Sequence, residues 1–289
     1  MIKLPRRHII AAVIIAVLAI LTALLPKKPL TAVFLAVGDG MCVVAETPSG
    51  HSIVIDCGNQ NTEDEGRAVA MIAERCLSRM GKSRIDLLFI THPHKDHFSG
   101  LELLLRRKPA KRIFVPYYCS SGDNGYLRVV DEACAYGAEL IRLEPGQNIQ
   151  LGKGCGFMVY APREKHENEN DNSLMMKLTA NRRSIMITGD AETEEEGEAM
   201  ATGLNLNAEV LQVGHHGSKS STSEEFLRAV APMYAVISCK GSGRFKFPSP
   251  ETTEKLDKCR VETYITGRDG AVTVELWPTG VKIKKESEE

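Results

Sequence analysis

Short apolar runs recur along most of the chain and predict a sheet-rich fold. They are rich in valine, isoleucine and leucine, and short polar or glycine-containing turns separate them. Apolar positions at helical spacing predict helices over residues 66–80 and 223–230, and Ser223 is the expected N-cap of the second. The predicted strands are residues 31–37, 41–46, 53–56, 87–91, 112–115, 156–160, 174–179, 184–188, 208–213, 234–238 and 271–276.

The order of these elements indicates an α/β protein with two sheets. The first strands follow one another as hairpins, whereas later strands alternate with helices. Two mixed sheets covered by helices fit that order better than a single doubly wound parallel sheet does. Residues 162–172 are polar and carry no strand pattern, so we expect a loop there.

The N-terminus has a different pattern, which predicts a single transmembrane helix. Residues 9–25 are seventeen consecutive uncharged, mostly apolar residues, near the lower length limit for crossing a bilayer. We therefore divide the chain into a membrane anchor, residues 1–28, and one domain, residues 29–289. A cleaved signal peptide is the alternative, but no Ala-x-Ala site lies between residues 21 and 31. The larger positive charge before the segment places the N-terminus in the cytoplasm and the domain outside.

Composition narrows the classes of function. The 36 basic and 37 acidic residues give a net charge of −1, which excludes a strongly basic nucleic-acid coat protein and an acidic disordered protein. A nucleic-acid enzyme with a local basic site remains possible. The eight cysteines form no CxxC pair, so we expect mostly buried free thiols rather than a disulfide framework or a cysteine-based zinc site.

The hexapeptide His92-Pro93-His94-Lys95-Asp96-His97 holds four metal-ligating side chains directly after an apolar strand. Pro93 keeps His92 extended, so His92 and His94 point the same way. Asp96 and His97 face an adjacent point as the chain turns into a helix. This arrangement suits two metal ions about 3.5–4 Å apart. We expect two divalent ions, with zinc preferred and manganese as the alternative.

Three further strand ends supply candidate site residues. Asp190 follows one strand and is the expected bridge between both metals. Asp56 follows another and is expected to orient a metal-binding histidine. The pair His215-His216 follows the third: one histidine would complete the second metal site, and the other would hold an anionic substrate. We assign His215 to the metal, and His216 with Lys219 to the substrate.

These motifs resemble a known superfamily. HxHxDH after a strand, with a downstream strand and Gly-Asp, resembles the metallo-β-lactamase fold, an αββα four-layer sandwich with metals at one edge. The residues at 34–40, 170–174, 188–190, 214–218 and 267–273 resemble the extracytoplasmic hydrolase domain of ComEC-type competence proteins. Where that family usually has Gly-His-Pro, this chain has Phe247-Pro248. The superfamily's third-motif histidine is also absent, and Asp171 is the nearest oxygen donor.

The resemblance and the residues together predict a membrane-anchored, metal-dependent hydrolase acting on a phosphodiester from outside the cell membrane. A water between the metals would be the nucleophile, Asp96 would relay a proton, and His216 with Lys219 would stabilise phosphate charge. Single-stranded DNA, a nucleotide and a surface polymer all fit as substrate, and no protein partner follows from the sequence. The alternative is a metal-binding surface module on the same fold with weakened catalysis. A lactonase or β-lactamase is less favoured, because the resemblance is to the phosphodiester branch.

Overall fold

The computed structural model describes residues 28–60, 63–118, 124–241 and 246–286, together with His8 and Ile14. Apart from Ile14, the predicted transmembrane segment 9–25 lies outside the described residues. Within the described ranges, no helix combines the length and apolar character needed to cross a bilayer.

The described residues alternate between strands and helices as the sequence pattern predicts. The strands are β1 (Leu30–Phe34), β2 (Val43–Glu46), β3 (Ser52–Ile55), β4 (Ile85–Phe89), β5 (Ala110–Pro116), β6 (Glu139–Leu143), β7 (Asn148–Gln150), β8 (Gly156–Ala161), β9 (Met175–Ala180), β10 (Arg183–Ile187), β11 (Val210–Gln212), β12 (Tyr234–Ile237), β13 (Glu262–Ile265), β14 (Val272–Trp277) and β15 (Gly280–Lys285). The helices are α1 (Glu63–Arg79), α2 (Lys95–Phe98), α3 (Leu101–Arg107), α4 (Asn124–Ala135), α5 (Thr193–Ala201), α6 (Glu224–Val230), α7 (Pro250–Lys258) and α8 (Thr266–Asp269). Short 3₁₀ turns lie at Glu169–Asn172 and His215–Gly217.

The strands form two mixed sheets. One has the order β15-β14-β1-β2-β3-β4-β5-β6, and the other has the order β13-β12-β11-β10-β9-β8-β7. In each sheet an antiparallel half passes into a parallel half, which runs from β3 to β6 in the first sheet and from β10 to β13 in the second. The predicted pair of mixed sheets is confirmed.

Apolar side chains form three layers that hold the sheets and helices together. The central layer joins the two sheets and contains Phe34, Phe89 and Phe157, all at most 1% exposed. A second layer packs the first sheet against α1, α3 and α4, and a third packs the other sheet against α5, α6 and α7. The architecture is therefore a helix–sheet–sheet–helix sandwich, and burial on both faces of the sheets explains their nearly continuous apolar strands.

Two smaller predictions, a helix cap and free, mostly buried thiols, are confirmed. Ser223 caps α6 as expected, because its side chain accepts a hydrogen bond from the Phe226 amide. Of the seven cysteines in the described ranges, all free thiols, four are buried and Cys134 and Cys259 are exposed. Most of the described thiols are thus buried, as the sequence predicts.

Candidate metal centre

The candidate residues follow two pairs of parallel strands and lie at one edge of the sandwich. Strands β3 and β4 are in register in the first sheet, and β10 and β11 are in register in the second. Parallel neighbours end on the same side of a sheet, so the segments that follow them lie side by side. The Leu174 amide, just before β9, donates a hydrogen bond of 2.9 Å to the Thr91 carbonyl after β4. This bond joins the two sheets at the edge where the site lies.

Four buried side chains converge there: Asp96, His97, Asp190 and His216. Their potential ligand atoms all lie within 4.8 Å of one another. His97 Nε2 is 3.2 Å from Asp190 Oδ1, and His216 Nε2 is 3.3 Å from Asp96 Oδ2 and 3.5 Å from Asp190 Oδ2. Residues from both sheets therefore contribute to one cluster.

The other two histidines of the hexapeptide lie beside this cluster. His92 Nε2 is 3.0 Å from His94 Nδ1 and 3.8 Å from Asp190 Oδ2. His92 is fully buried, whereas His94 is exposed. Asp190 consequently lies near a histidine of each pair, with Oδ2 toward His92 and Oδ1 toward His97.

The cluster has the properties of a metal site. Asp96 Oδ1, His97 Nε2 and Asp190 Oδ1 are buried, and none of them forms a well-oriented hydrogen bond among the described residues, although His97 Nε2 and Asp190 Oδ1 are 3.2 Å apart. Leaving buried polar atoms unpaired is costly, and a cation is the partner that satisfies imidazole nitrogens and carboxylate oxygens together. Imidazole and carboxylate donors suit zinc, manganese and iron. The donor set thus fits a divalent ion without selecting one metal.

Asp56 fixes the orientation of His97. Its Oδ1 accepts the Thr91 amide at 2.8 Å, and its Oδ2 accepts the Thr91 hydroxyl at 2.7 Å and lies 2.7 Å from His97 Nδ1. Because an ionised carboxylate only accepts hydrogen bonds, Nδ1 of His97 carries a proton, and Nε2, which faces Asp190, is the nitrogen left for a metal ion. Asp56 therefore has the geometry of the orienting residue that the sequence predicts.

Electrostatics favour a cation in this cluster. Burial acts to lower the pKa of His97, but the charges of Asp190 and Asp56 outweigh it and raise that pKa to about 10. Burial acts to raise the pKa of Asp96, but its hydrogen bond to His216 and the charge of His97 lower it to about 2. Burial and nearby His97 hold the pKa of His92 well below its usual range. Asp96 and Asp190 are thus ionised and His92 is neutral near pH 7, whereas His97 keeps its second proton until a metal ion displaces it.

The structure differs from the sequence-based assignment of the histidine pair. His216 is 4% exposed, directs Nε2 to the two acids and has Nδ1 2.7 Å from the Ser238 carbonyl. His215 instead has Nδ1 2.8 Å from Glu192 Oε1, and 23% of its side chain is exposed. Both histidines have left-handed backbone, with φ of 45° and 54°. This tight turn sends the two rings in different directions, so His216, rather than His215, joins the cluster.

Two other candidates lie outside the cluster. Asp171 Oδ1 accepts hydrogen bonds from the backbone amides of Glu192, at 2.9 Å, and Glu195, at 3.4 Å. Asp171 thus satisfies free amides where α5 begins, and it is not brought to the metal donors. Lys219 is exposed beyond the histidine turn, and no hydrogen bond or ion pair of the described residues joins it to the cluster.

Phe247 occupies the side of the cluster where the resemblance leads one to expect a histidine. Its ring centroid is 5.6 Å from that of His215 and 6.0 Å from that of His216. An apolar ring therefore replaces a possible ligand. Sequence reasoning also missed Glu192 and Ser238, which contact the histidine pair, because neither residue stands in a recognisable motif.

Solved structures agree with this architecture. The crystal structure of CmlA, a diiron β-hydroxylase from Streptomyces venezuelae, matches with a TM-score of 0.55 and 16% sequence identity, over 87% of this chain and 54% of that chain. At this low identity, the likeness establishes the fold alone.

Sequence comparisons add the family. The model of the metallo-β-lactamase superfamily matches residues 35–241. ComE operon protein 3 of Bacillus subtilis is 31% identical over 199 residues, which are 68% of this chain and 25% of that protein. Competence protein ComA of Neisseria gonorrhoeae is 27% identical over 250 residues, which are 86% of this chain and 32% of that protein. The chain thus spans about a quarter to a third of the length of these relatives, and the resemblance to competence proteins is confirmed. The fold, the cluster and the matched residues together place this chain in the metallo-β-lactamase superfamily.

Proposed function

We propose that this protein is a metal-dependent phosphodiesterase, with nuclease-like activity, whose reaction takes place at the Asp96–His97–Asp190–His216 cluster. The observation that carries the proposal is the set of buried, unpaired donors, which suits divalent ions and has no evident structural purpose. The preference for a phosphodiester comes from the similarity to competence proteins. A single strand of DNA, a nucleotide and a surface polymer remain the candidate substrates.

Two ions fit the arrangement of donors. His92, His94 and Asp190 would hold one, and Asp96, His97 and His216 would hold the other together with Asp190. Zinc is the preferred ion and manganese the alternative. Bound divalent ions at such a site polarise a phosphoryl oxygen and lower the pKa of water, which supplies a nucleophile at neutral pH.

His215 is the better candidate for contact with substrate, a role that the sequence pattern predicts for His216. Glu192 holds its Nδ1, and no residue in the described ranges pairs with its Nε2. Its ring lies at the partly exposed margin of the cluster, 6.2 Å between centroids from His216. Lys219, four residues along the same turn, would add positive charge for an anionic phosphate. Asp96 remains the candidate for proton transfer.

The first experiment combines a metal count with turnover of bis-p-nitrophenyl phosphate. We expect about two ions per chain, the number of a dinuclear site, and hydrolysis that stops when a chelator removes them. Replacing Asp96 and His97 together by alanine should abolish hydrolysis and reduce bound metal from about two ions toward one. An equally buried pair outside the cluster, Thr252 and Leu256 in α7, provides the control for general loss of folding when replaced by alanine. Wild-type turnover in the Asp96→Ala/His97→Ala variant would refute the proposal.

A weakened binding module is the second candidate function, and Phe247 beside the histidine pair favours it. An apolar ring at that position removes one possible ligand from the second metal. This module would hold a single ion and hydrolyse nothing measurable. The same metal count and turnover assay decide between the two functions.

We also propose that residues 9–25 anchor the protein in the cell membrane and leave the domain outside. The support is the uncharged run and the larger positive charge before it. Protease added to intact cells should digest the domain. Digestion only after lysis would reverse the orientation, and a mature N-terminus near residue 28 would show cleavage instead of anchoring.

A further inference from the structure

A large open cleft lies beside the metal centre, on the outer side of α2. Its volume is about 1050 Å³, and α1, α2, α3 and the beginning of α4 form its walls. Lys95 lines the cleft and is exposed, whereas the next residue, Asp96, is buried in the metal cluster. The short helix α2 therefore separates the cleft from the candidate site, because its consecutive residues Lys95 and Asp96 face opposite ways.

The charge of the cleft is opposite to that of the whole chain. The chain carries a net charge of −1, yet one acid and five basic residues line this space. The acid is Glu102, and the basic residues are Arg67, Lys95, Arg106, Arg107 and Arg128. Such a concentration of cations in a concave surface attracts an anionic ligand.

These cations remain available to a ligand. Within the described ranges, Arg67 and Lys95 form no ion pair. Arg106 and Arg128 share Glu102 at 2.7 Å and 3.2 Å, and their side chains are 54% and 71% exposed. Arg106 also pairs with Glu132 at 3.0 Å, and Arg107, which is 50% exposed, pairs with Glu74 at 2.8 Å. Exposed pairs of this kind are weak, and each guanidinium keeps further N–H groups for a second acceptor. A phosphate therefore competes readily for them.

The floor of the cleft is apolar, which narrows the class of ligand. Phe98 and Val129 are buried beneath it, and Met71 and Leu103 are partly exposed along it. A polymer of simple sugar or glycerol phosphates matches the basic rim and leaves this floor uncovered. A single-stranded nucleic acid presents both phosphates for the rim and flat, largely apolar bases for the floor.

We propose that this cleft binds the strand that continues from the reacting phosphodiester of a single-stranded nucleic acid. The inference rests on the proposed phosphodiesterase function and adds to it a dependence on chain length. Contacts remote from the reacting phosphate that are equal in ground and transition states lower KM and leave kcat unchanged. Longer oligonucleotides therefore have lower KM, until the cleft is filled, while bis-p-nitrophenyl phosphate does not reach the cleft at all.

The test compares two double variants with the same change in charge. Arg67→Gln/Arg128→Gln removes cations from the cleft, and Arg112→Gln/Arg228→Gln removes cations that are 52% and 61% exposed elsewhere. In the cleft variant, we expect KM for long oligothymidylates to rise about tenfold, the scale of two lost charge contacts. The slope of log Kd against log salt should fall by about 1.4, that is, about 0.7 for each lost contact with a single strand. Turnover of bis-p-nitrophenyl phosphate should equal that of the control.

Three results would overturn the inference: equal KM for oligothymidylates in the two variants, an unchanged salt slope, or equal binding of oligothymidylate and inorganic polyphosphate by the wild-type protein. The last result would show that the rim binds any polyanion without using the apolar floor. Failure of the proposed function has a different signature, because wild-type protein would then hydrolyse neither substrate. The salt slope for binding would still test the cleft in that case.

Discussion

Replacing Asp56 by asparagine tests whether the metal centre depends on the orientation of His97. The side chains have the same shape, so the change alters hydrogen bonding and charge alone. The Thr91 amide needs an oxygen acceptor, so the new amide oxygen stays where Oδ1 now is. The new NH₂ group then replaces Oδ2, which faces both the Thr91 hydroxyl and His97 Nδ1. An N–H group there donates to Nδ1, so the ring proton moves to Nε2 and covers the lone pair that a metal needs.

The size of the effect follows from those contacts. Loss of an orienting partner weakens metal binding about tenfold to hundredfold, or about 1.4 to 2.7 kcal/mol. The hydrogen bonds from the Thr91 hydroxyl and His97 Nδ1 to a charged acceptor, each contributing about 1.5 to 3 kcal/mol, are also replaced by weaker neutral ones. Removing a fully buried charge offsets part of this loss, so we expect the metal-free protein to lose about 2 to 4 kcal/mol of unfolding free energy.

Metal titration by calorimetry and denaturant unfolding measure the two effects separately. Asp86→Asn is the matched control, because Asp86 Oδ2 accepts the Ser52 amide at 2.9 Å and the Ser52 hydroxyl at 3.1 Å, far from the cluster. The control should lose stability and keep wild-type metal affinity. Wild-type metal affinity in Asp56→Asn would refute the orienting role, whatever happens to stability.

Three further predictions concern the site and its surroundings. His216→Ala should reduce bound metal from about two ions toward one, as measured by elemental analysis. His215→Ala should keep the metal and raise KM. The reverse pattern would show that His215 is the ligand. Phe247→His should tighten metal binding, measured by calorimetric titration, because it adds a nitrogen beside the histidine pair. Unchanged metal affinity would show that position 247 is too far from the ion. Burial and the charge of Asp171 raise the pKa of Glu195 well above its usual range, so the folded state keeps a proton that the unfolded state releases above about pH 4.3. Stability should therefore decline as pH rises from that value through the folded pKa, and Glu195→Gln should flatten this decline in unfolding measured across pH.

The strands that sequence patterns failed to predict share one position in the fold. They are β6, β7, β13 and β15, the four outermost strands of the two sheets. Edge strands are partly solvated, and their side chains are accordingly exposed or half-buried along most of their length. Polar and charged residues there discourage pairing with other chains, so the apolar signal that identifies central strands is absent.

Local sequence patterns likewise predict some of the site residues and not others. The hexapeptide was recognisable because its ligand types are almost consecutive, and Asp56 and Asp190 were recognisable because each ends an apolar strand. The direction of the His215 and His216 rings depends on two successive left-handed residues, which spacing does not reveal. Asp171 has the chemistry of a ligand, but nearby amides at the beginning of α5 already occupy its carboxylate.

The meeting of ligands from both sheets has a consequence for the order of folding. Asp96 and His216 are 120 residues apart in the chain, and they follow strands of different sheets, β4 and β11. The complete set of metal ligands is therefore not assembled until the two sheets have packed together. That packing is a slow, long-range event in a fold of this topology. An ion that binds after docking does not accelerate folding; it slows unfolding, because its contacts are missing from the transition state. Metal supply would thus determine how long each folded molecule survives, rather than how quickly new ones form.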